Sequence, residues 1–258
     1  MTTRRWAAAL ALLLLMSACG ANDQSRAVVV AGTTLVDSGL MAELVAAYSV
    51  DHPDDNIAVI ALSSSEAIVL ASSGNADVLI THNKEVLDEY LSSQPASQST
   101  DTFASTFHLV ADPSITIEAS SLVEALSIVA EREVLFVSRD DGSGTNAAER
   151  DAWNAANIDP SGELWYLRTG TAMGATLLVA DQRHAATLTE HGAFLTADNQ
   201  LSLLKVPNTA IPNPYQLTLV ESASKAGASF FEWVSSPLGR AALVAANDEL
   251  FGQQVYEF

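Results

Sequence analysis

Apolar positions along this chain fall into short blocks that alternate with amphipathic stretches. Ala27-Val28-Val29-Val30-Ala31 is apolar throughout, the pattern of a strand buried on both faces. Gly32-Thr33-Thr34 reads as a turn, Gly39 to Tyr48 as a helix and Asn56 to Leu62 as a second strand. Residues 65–72 have helical spacing, and Ala76 to Thr81 is extended. Phe107 to Ala111 is apolar and extended, and Asp112-Pro113 ends it. Residues 121–132 predict a helix, Val134 to Ser138 a strand, and Asn146 to Ile158 a helix with Trp153 on its apolar face. Leu164 to Arg168 is a strand and Ala172 to Gln182 a helix. Ala185 to Leu188 and Leu201 to Val206 are short strands. Asn213-Pro214-Tyr215 is expected to break the chain before a strand at Gln216 to Val220. Ser224 to Ala246 holds one or two helices, with Pro237 as a helix-start residue.

Strands alternating with helices argue an α/β fold. The length of 258 residues suits two modest lobes. The first is expected to combine 27–107 with 217–258, and the second to span 108–216. Crossings near 107–113 and 212–217 are expected to form the hinge. Ligands of open α/β sheets bind where strands end and helices begin. The turns at 32–34, 63–65 and 139–145 are therefore expected to face one cleft.

Ahead of this lies a different kind of segment. Arg4 and Arg5 precede an apolar run, Trp6 to Met16, that is short for a membrane span. Met16-Ser17-Ala18-Cys19-Gly20 resembles a bacterial lipobox, with Met16 in place of the usual Leu. Residues 1–19 thus read as an export signal ending in a lipidated Cys19, and 20–26 as a polar tether. The expected location is the periplasm or the outer face of the cytoplasmic membrane, held by the anchor. Cys19 is the only cysteine, which excludes intrachain disulfides, cysteine-ligated metals and CxxC redox chemistry.

The formal net charge is −19, with only three lysines: Lys84, Lys205 and Lys225. Such a surface repels nucleic acid and anionic headgroups, so neither is an expected partner. A local set of oriented donors can still hold an anion, because salt screens distant charge beyond about 8–10 Å.

The best candidate for such a set is Arg139-Asp140-Asp141-Gly142-Ser143-Gly144-Thr145. It offers a guanidinium, two hydroxyls and free N–H groups just before a helical pattern. An Asp/Gly turn with a Ser or Thr cap is the plain structural alternative.

Several segments together resemble the tungstate-binding proteins of bacterial ABC transporters, along most of the chain. Ala31-Gly32-Thr33-Thr34 with Asp37-Ser38-Gly39-Leu40 is similar to that family's Thr-Thr-Thr-Ser motif and Ser-Gly-Leu helix start. Ser63-Ser64-Ser65-Glu66-Ala67 stands where the family has Gly-Thr-Gly-Gln-Ala. Ala76 to His82 resembles its Ala-Asp-Val-Leu-Leu-Val-His strand, and Ser138 to Thr145 its Ser-Arg-Gly-Asp-Asp-Ser-Gly-Thr motif. Trp165-Tyr166, Gly170 to Leu177 and Asn213-Pro214-Tyr215 follow in order. The resemblance implies a two-lobed periplasmic binding fold (type II) that closes on a tetrahedral oxyanion and delivers it to a permease. It implies Thr33, Thr34 and Ser64 as ligand groups of one lobe, and Arg139, Ser143, Gly144 and Thr145 as those of the other. Departures include the loss of one hydroxyl at Gly32, serines for glycines at 63 and 65, and Glu66 for Gln. Phe103 to Phe107 also lacks the family's Asn-Asp pair.

Ligand identity turns on hydrogen-bond polarity. Tungstate, molybdate and sulfate only accept near neutral pH, whereas phosphate keeps a proton and gains from one carboxylate. Arg139-x-Asp141-Gly142-Ser143-Gly144-Thr145 also resembles the phosphate-binding proteins' Arg-x-Asp-Gly-Ser-Gly-Thr. Asp141 and Glu66 are therefore the candidate selectivity residues, and the chain-wide resemblance favours tungstate over phosphate, molybdate or sulfate. The chain is expected to act as a monomer, without metal ion or organic cofactor.

Two other classes remain open. An enzyme finds no support in G-x-S-x-G, H-E-x-x-H or Walker spacing, and each histidine reads as a surface or capping residue. A sensor module that presents its ligand to a partner other than a permease has the same site. Trp153, Trp165, Phe230, Phe231 and Trp233 read as core rather than as an aromatic cage.

Overall fold

The computed structural model describes residues 25–197 and 202–258. The proposed signal, Cys19 and most of the tether lie outside the described residues. Among those described, no helix is long and apolar enough to cross a membrane.

The apolar run at 27–31 forms β1 (Ser25–Gly32), flanked by two parallel strands, β2 (Asp55–Leu62) and β3 (Val78–Thr81). The predicted turn at 32–34 is already helical: α1 (Thr33–Asp37) starts directly at the strand end, and α2 (Leu40–Asp51) follows. Between β2 and β3 runs α3 (Ser64–Ser72). Its start is fixed by a capping box: Ser63 Oγ accepts from Glu66 N, and the Glu66 carboxylate accepts from Ser63 N. After β3 comes α4 (Lys84–Ser93), which the sequence reading did not anticipate. Asn83 caps it.

Next, β4 (Gln98–Ala111) is far longer than the apolar block at 107–111 suggests. It opens with four exposed polar residues, Gln98 to Asp101, and alternates in burial only from Thr102 to Leu109, where one face meets solvent. Then come α5 (Leu122–Glu131), β5 (Phe136–Ser138), α6 (Gly144–Ala155), β6 (Tyr166–Arg168), α7 (Met173–Gln182) and β7 (Ala186–Glu190). A short α8 (His191–Thr196) and β8 (Leu204–Lys205) precede β9 (Ile211–Leu219). The expected break at Asn213-Pro214-Tyr215 lies inside β9. Residues 211–214 of β9 pair with β4, whereas β3 pairs only with residues 216–219. A strand with one neighbour can carry proline where its N–H faces outward. The chain ends with α9 (Lys225–Ser235) and α10 (Pro237–Phe251), with Pro237 in the first helical turn as expected.

Among the described residues the strands follow the order β2-β1-β3-β9-β4-β7-β5-β6, with β8 on β4. The long antiparallel pair β4/β9 joins the β1–β3 half to the β5–β7 half, with a register shift between Asp101 and Ala104. Each half has its own core. Tyr48, Phe230, Trp233 and Tyr256 pack in the first, and Phe136, Trp153 and Trp165 in the second. The aromatic residues thus serve two separate cores and share no cage. This is a two-lobed α/β fold whose lobes are joined by two strands.

Candidate functional site

Strands β1, β2 and β5 each end in a helix start, and these three starts meet between the lobes. At the end of β5 the backbone turns sharply through Asp140 (φ 46°) and Gly142 (φ 70°). That turn sends Arg139 inward, where it is 1% exposed. Arg139 Nε donates to Asp141 Oδ2 at 3.0 Å, and Nη2 donates to the same oxygen. Nη2 also reaches across the lobes to Thr33 Oγ1 at 3.1 Å. A second link between the lobes runs from Ser65 Oγ to the carbonyl of Gly142 at 3.3 Å. The turns at 32–34, 63–65 and 139–145 therefore lie together, as the sequence predicts.

Three polar side-chain groups at this junction are buried and have no hydrogen-bond partner: Ser64 Oγ, Arg139 Nη1 and Thr145 Oγ1. All three can donate. Eight buried side-chain polar atoms lack a partner among the described residues, and these three are the ones on the turns at 63–65 and 139–145; each costs about 1–3 kcal/mol when left unpaired. Around them, the first N–H groups of α3 and α6 lack intrahelical partners. Ser143 caps α6, its Oγ accepting from Asn146 N at 3.3 Å, which leaves the hydroxyl hydrogen to donate elsewhere. Thr34 is wholly buried and its Oγ1 lies 3.1 Å from the Tyr215 hydroxyl.

The two candidate selectivity residues are differently engaged. Asp141 Oδ2 takes the Arg139 guanidinium and Oδ1 accepts from Ser143 N at 3.1 Å. Glu66 turns back on its own helix start, with Oε2 accepting from Ser63 N at 3.0 Å and Ser63 Oγ at 2.8 Å. Beside the site is a cavity of 120 Å³ lined by Ser65, Gly142, Ser143 and Asn146. A larger cavity of 370 Å³ opens between Arg150, Tyr166 and Arg168, and neither cavity is lined by any of the three unpaired donors.

Sequence reasoning missed part of this junction. His82, expected as a surface or capping residue, is half-buried and packed against β9. Its ring stacks on Tyr215 with centroids 4.9 Å apart, and Nδ1 lies 2.8 Å from Asn213 Oδ1. Asn213 Nδ2 donates to Ser105 Oγ and to the Tyr215 hydroxyl, both at 3.1 Å. Burial, chiefly, lowers the His82 pKa to about 4, so the ring is neutral. With Asn213 presenting its carbonyl, His82 Nδ1 carries the proton. The residues were visible in the order of motifs, but an Asn-Pro-Tyr string reads locally as a loop. On α6 itself, Glu149 accepts from Ser138 Oγ (2.9 Å), Trp153 Nε1 (3.2 Å) and the Tyr166 hydroxyl (2.5 Å). Burial pushes its pKa up to about 7 against those three donors.

Known proteins resemble this chain over most of its length. A Haloferax volcanii protein, provisionally named an ABC transporter anion-binding protein, is 33% identical over 201 residues. That match takes in 74% of this chain and spans 58% of the relative's length. The tungstate-binding protein TupA of Peptoclostridium acidaminophilum is 26% identical, over 96% of this chain and 95% of its own. Among solved structures, the tungstate ABC transporter structure from Geobacter sulfurreducens superposes with a TM-score of 0.76 at 26% identity. It covers 85% of this chain and 98% of the solved one. The PBP superfamily domain matches residues 19–237, and the chain belongs to that family.

Proposed function

We propose that the chain is the solute-binding component of an ABC importer and captures tungstate between its lobes. The observation that carries this reading is the trio of buried, unpaired donors Ser64 Oγ, Arg139 Nη1 and Thr145 Oγ1, contributed by both lobes. A tetrahedral dianion that only accepts hydrogen bonds satisfies all three at once, helped by the starts of α3 and α6. Thr33, Thr34, Ser143 and Gly144 complete the wall, with Thr33 holding Arg139 in place and Thr34 held by Tyr215. Binding stabilises the arrangement in which donors of both lobes lie together.

Tungstate is preferred to phosphate on polarity. Phosphate near neutral pH needs an acceptor for its proton. Asp141 already takes the Arg139 guanidinium and Ser143 N, so a phosphate proton must compete for its remaining lone pairs, and Glu66 is committed to the start of α3. The names of the Peptoclostridium and Geobacter relatives point the same way. The chain works as an exported monomer, anchored through Cys19 and serving a permease, and it does no chemistry on its ligand.

The test is a thermal-shift panel of tungstate, molybdate, sulfate, phosphate and chromate on the purified chain, followed by calorimetry. Tungstate should give the largest rise in Tm and a 1:1 isotherm. A larger rise with phosphate, or no rise with any oxyanion, overturns the reading.

A further inference from the structure

We propose that His82 is the positioning residue for lobe closure: its ring is the stop against which α6 comes to rest, and Gly144 is glycine to make room for it. Gly144 is the first residue of α6, in the β5–β7 lobe. A Cβ built there would lie 2.6 Å from His82 Cδ2 and Cγ, and 2.7 Å from Nε2. Real Cβ atoms do not approach so closely. The crowding is one-sided, since a Cβ at Gly32 would meet the same ring at an ordinary 3.8 Å.

The backbone does not explain the glycine. Gly144 is absent from the positive-φ residues, which include Gly142 and Gly170, and it sits in a helix where alanine is favoured. The half-buried ring borders a cavity of 250 Å³ but is held by three neighbours. Tyr215 stacks on it with an interplanar angle of 7°, Asn213 holds Nδ1, and Phe107 packs at 5.9 Å. Asn213 and Tyr215 belong to β9 and Phe107 to β4, the two strands that join the lobes. Tyr215 in turn holds Thr34. A continuous packed path therefore runs from α6 through His82 to the joining strands and back to a site threonine.

The inference rests on the oxyanion reading, and one set of measurements separates the two. Gly144→Ala, His82→Ala and the double variant are titrated with tungstate by calorimetry. Lobe separation is read from paired spin labels, and thermal unfolding checks each fold. His82→Asn, which keeps an N–H for Asn213, stands in where His82→Ala does not fold. Gly144→Ala should lose about tenfold or more in affinity, the size of an overpacking clash, and hold the lobes apart. Removing the ring should relieve the clash, so the double variant should bind within about threefold of the His82 single variant. Losses that simply multiply, or a Gly144→Ala chain that closes like wild type, overturn the inference while leaving tungstate binding intact. A wild-type chain that binds no oxyanion sinks both readings.

Discussion

Replacing Arg139 by alanine removes more than one donor. The guanidinium spends Nε and Nη2 on Asp141 and Thr33 and keeps Nη1 unpaired. On the proposed reading, Nη1 is the charged donor to the ligand. A charge-assisted hydrogen bond is worth about 1.5–3 kcal/mol, or roughly 10- to 150-fold in affinity. The second effect concerns Asp141. Its carboxylate, 15% exposed, is balanced by the buried Arg139 guanidinium. Without the arginine it becomes an uncompensated negative charge beside an incoming dianion, which weakens binding further. Arg139→Ala should therefore lose about two orders of magnitude or more by calorimetry. Arg139→Ala/Asp141→Ala should recover part of that loss, because the repulsion goes with the carboxylate. Circular dichroism confirms that both remain folded. A single variant within threefold of wild type refutes the reasoning. A double variant weaker than the single one refutes the charge-balance part alone.

Other consequences are equally direct. Thr145→Val keeps the shape of the side chain but deletes an unpaired buried hydroxyl; it should weaken tungstate binding yet raise the ligand-free Tm, and a lowered ligand-free Tm contradicts this. Asp141→Asn leaves Arg139 unbalanced and should strengthen binding of fully deprotonated oxyanions relative to phosphate, read as a ratio of dissociation constants; an unchanged ratio removes Asp141 from selectivity. Glu149 titrates at about 7 in the fold against an ordinary 4.5. Between those values the folded chain holds a proton that the unfolded chain has shed, so this contribution is full below pH 4.5 and is lost as pH rises through 7. Glu149→Gln should remove that part of the slope of stability against pH, and parallel profiles from urea unfolding at several pH values contradict it.

How much of this was legible in the sequence depends on the range of each signal. Blocks buried on both faces, such as 27–31, announce themselves because every side chain is apolar. Caps are local too: Ser143, Ser63 with Glu66, and Ser236 before Pro237 all start helices as their spacing suggests. The helix α4 was missed because it begins at a charged segment, Lys84-Glu85, with few buried residues. The length of β4 and β9 was hidden for a different reason. Their central residues alternate in character or include prolines, and the partner strand, not local propensity, decides their conformation. At the site, the meeting of the three turns followed from strand-end geometry. The commitment of Glu66 to its own cap is consistent with Ser-x-x-Glu spacing, yet motif resemblance drew attention to the cleft instead. The pairing of His82 with Tyr215 was beyond reach, since a stack between residues 133 positions apart leaves no local trace.

The central claim is that both lobes supply donors to one tungstate ion. Crystals grown with tungstate and measured at a tungsten absorption edge test it most directly. One anomalous peak should appear within hydrogen-bonding reach, through its oxygens, of Ser64 Oγ, Arg139 Nη1 and Thr145 Oγ1. A peak elsewhere on the chain, or none at saturating tungstate, contradicts the account.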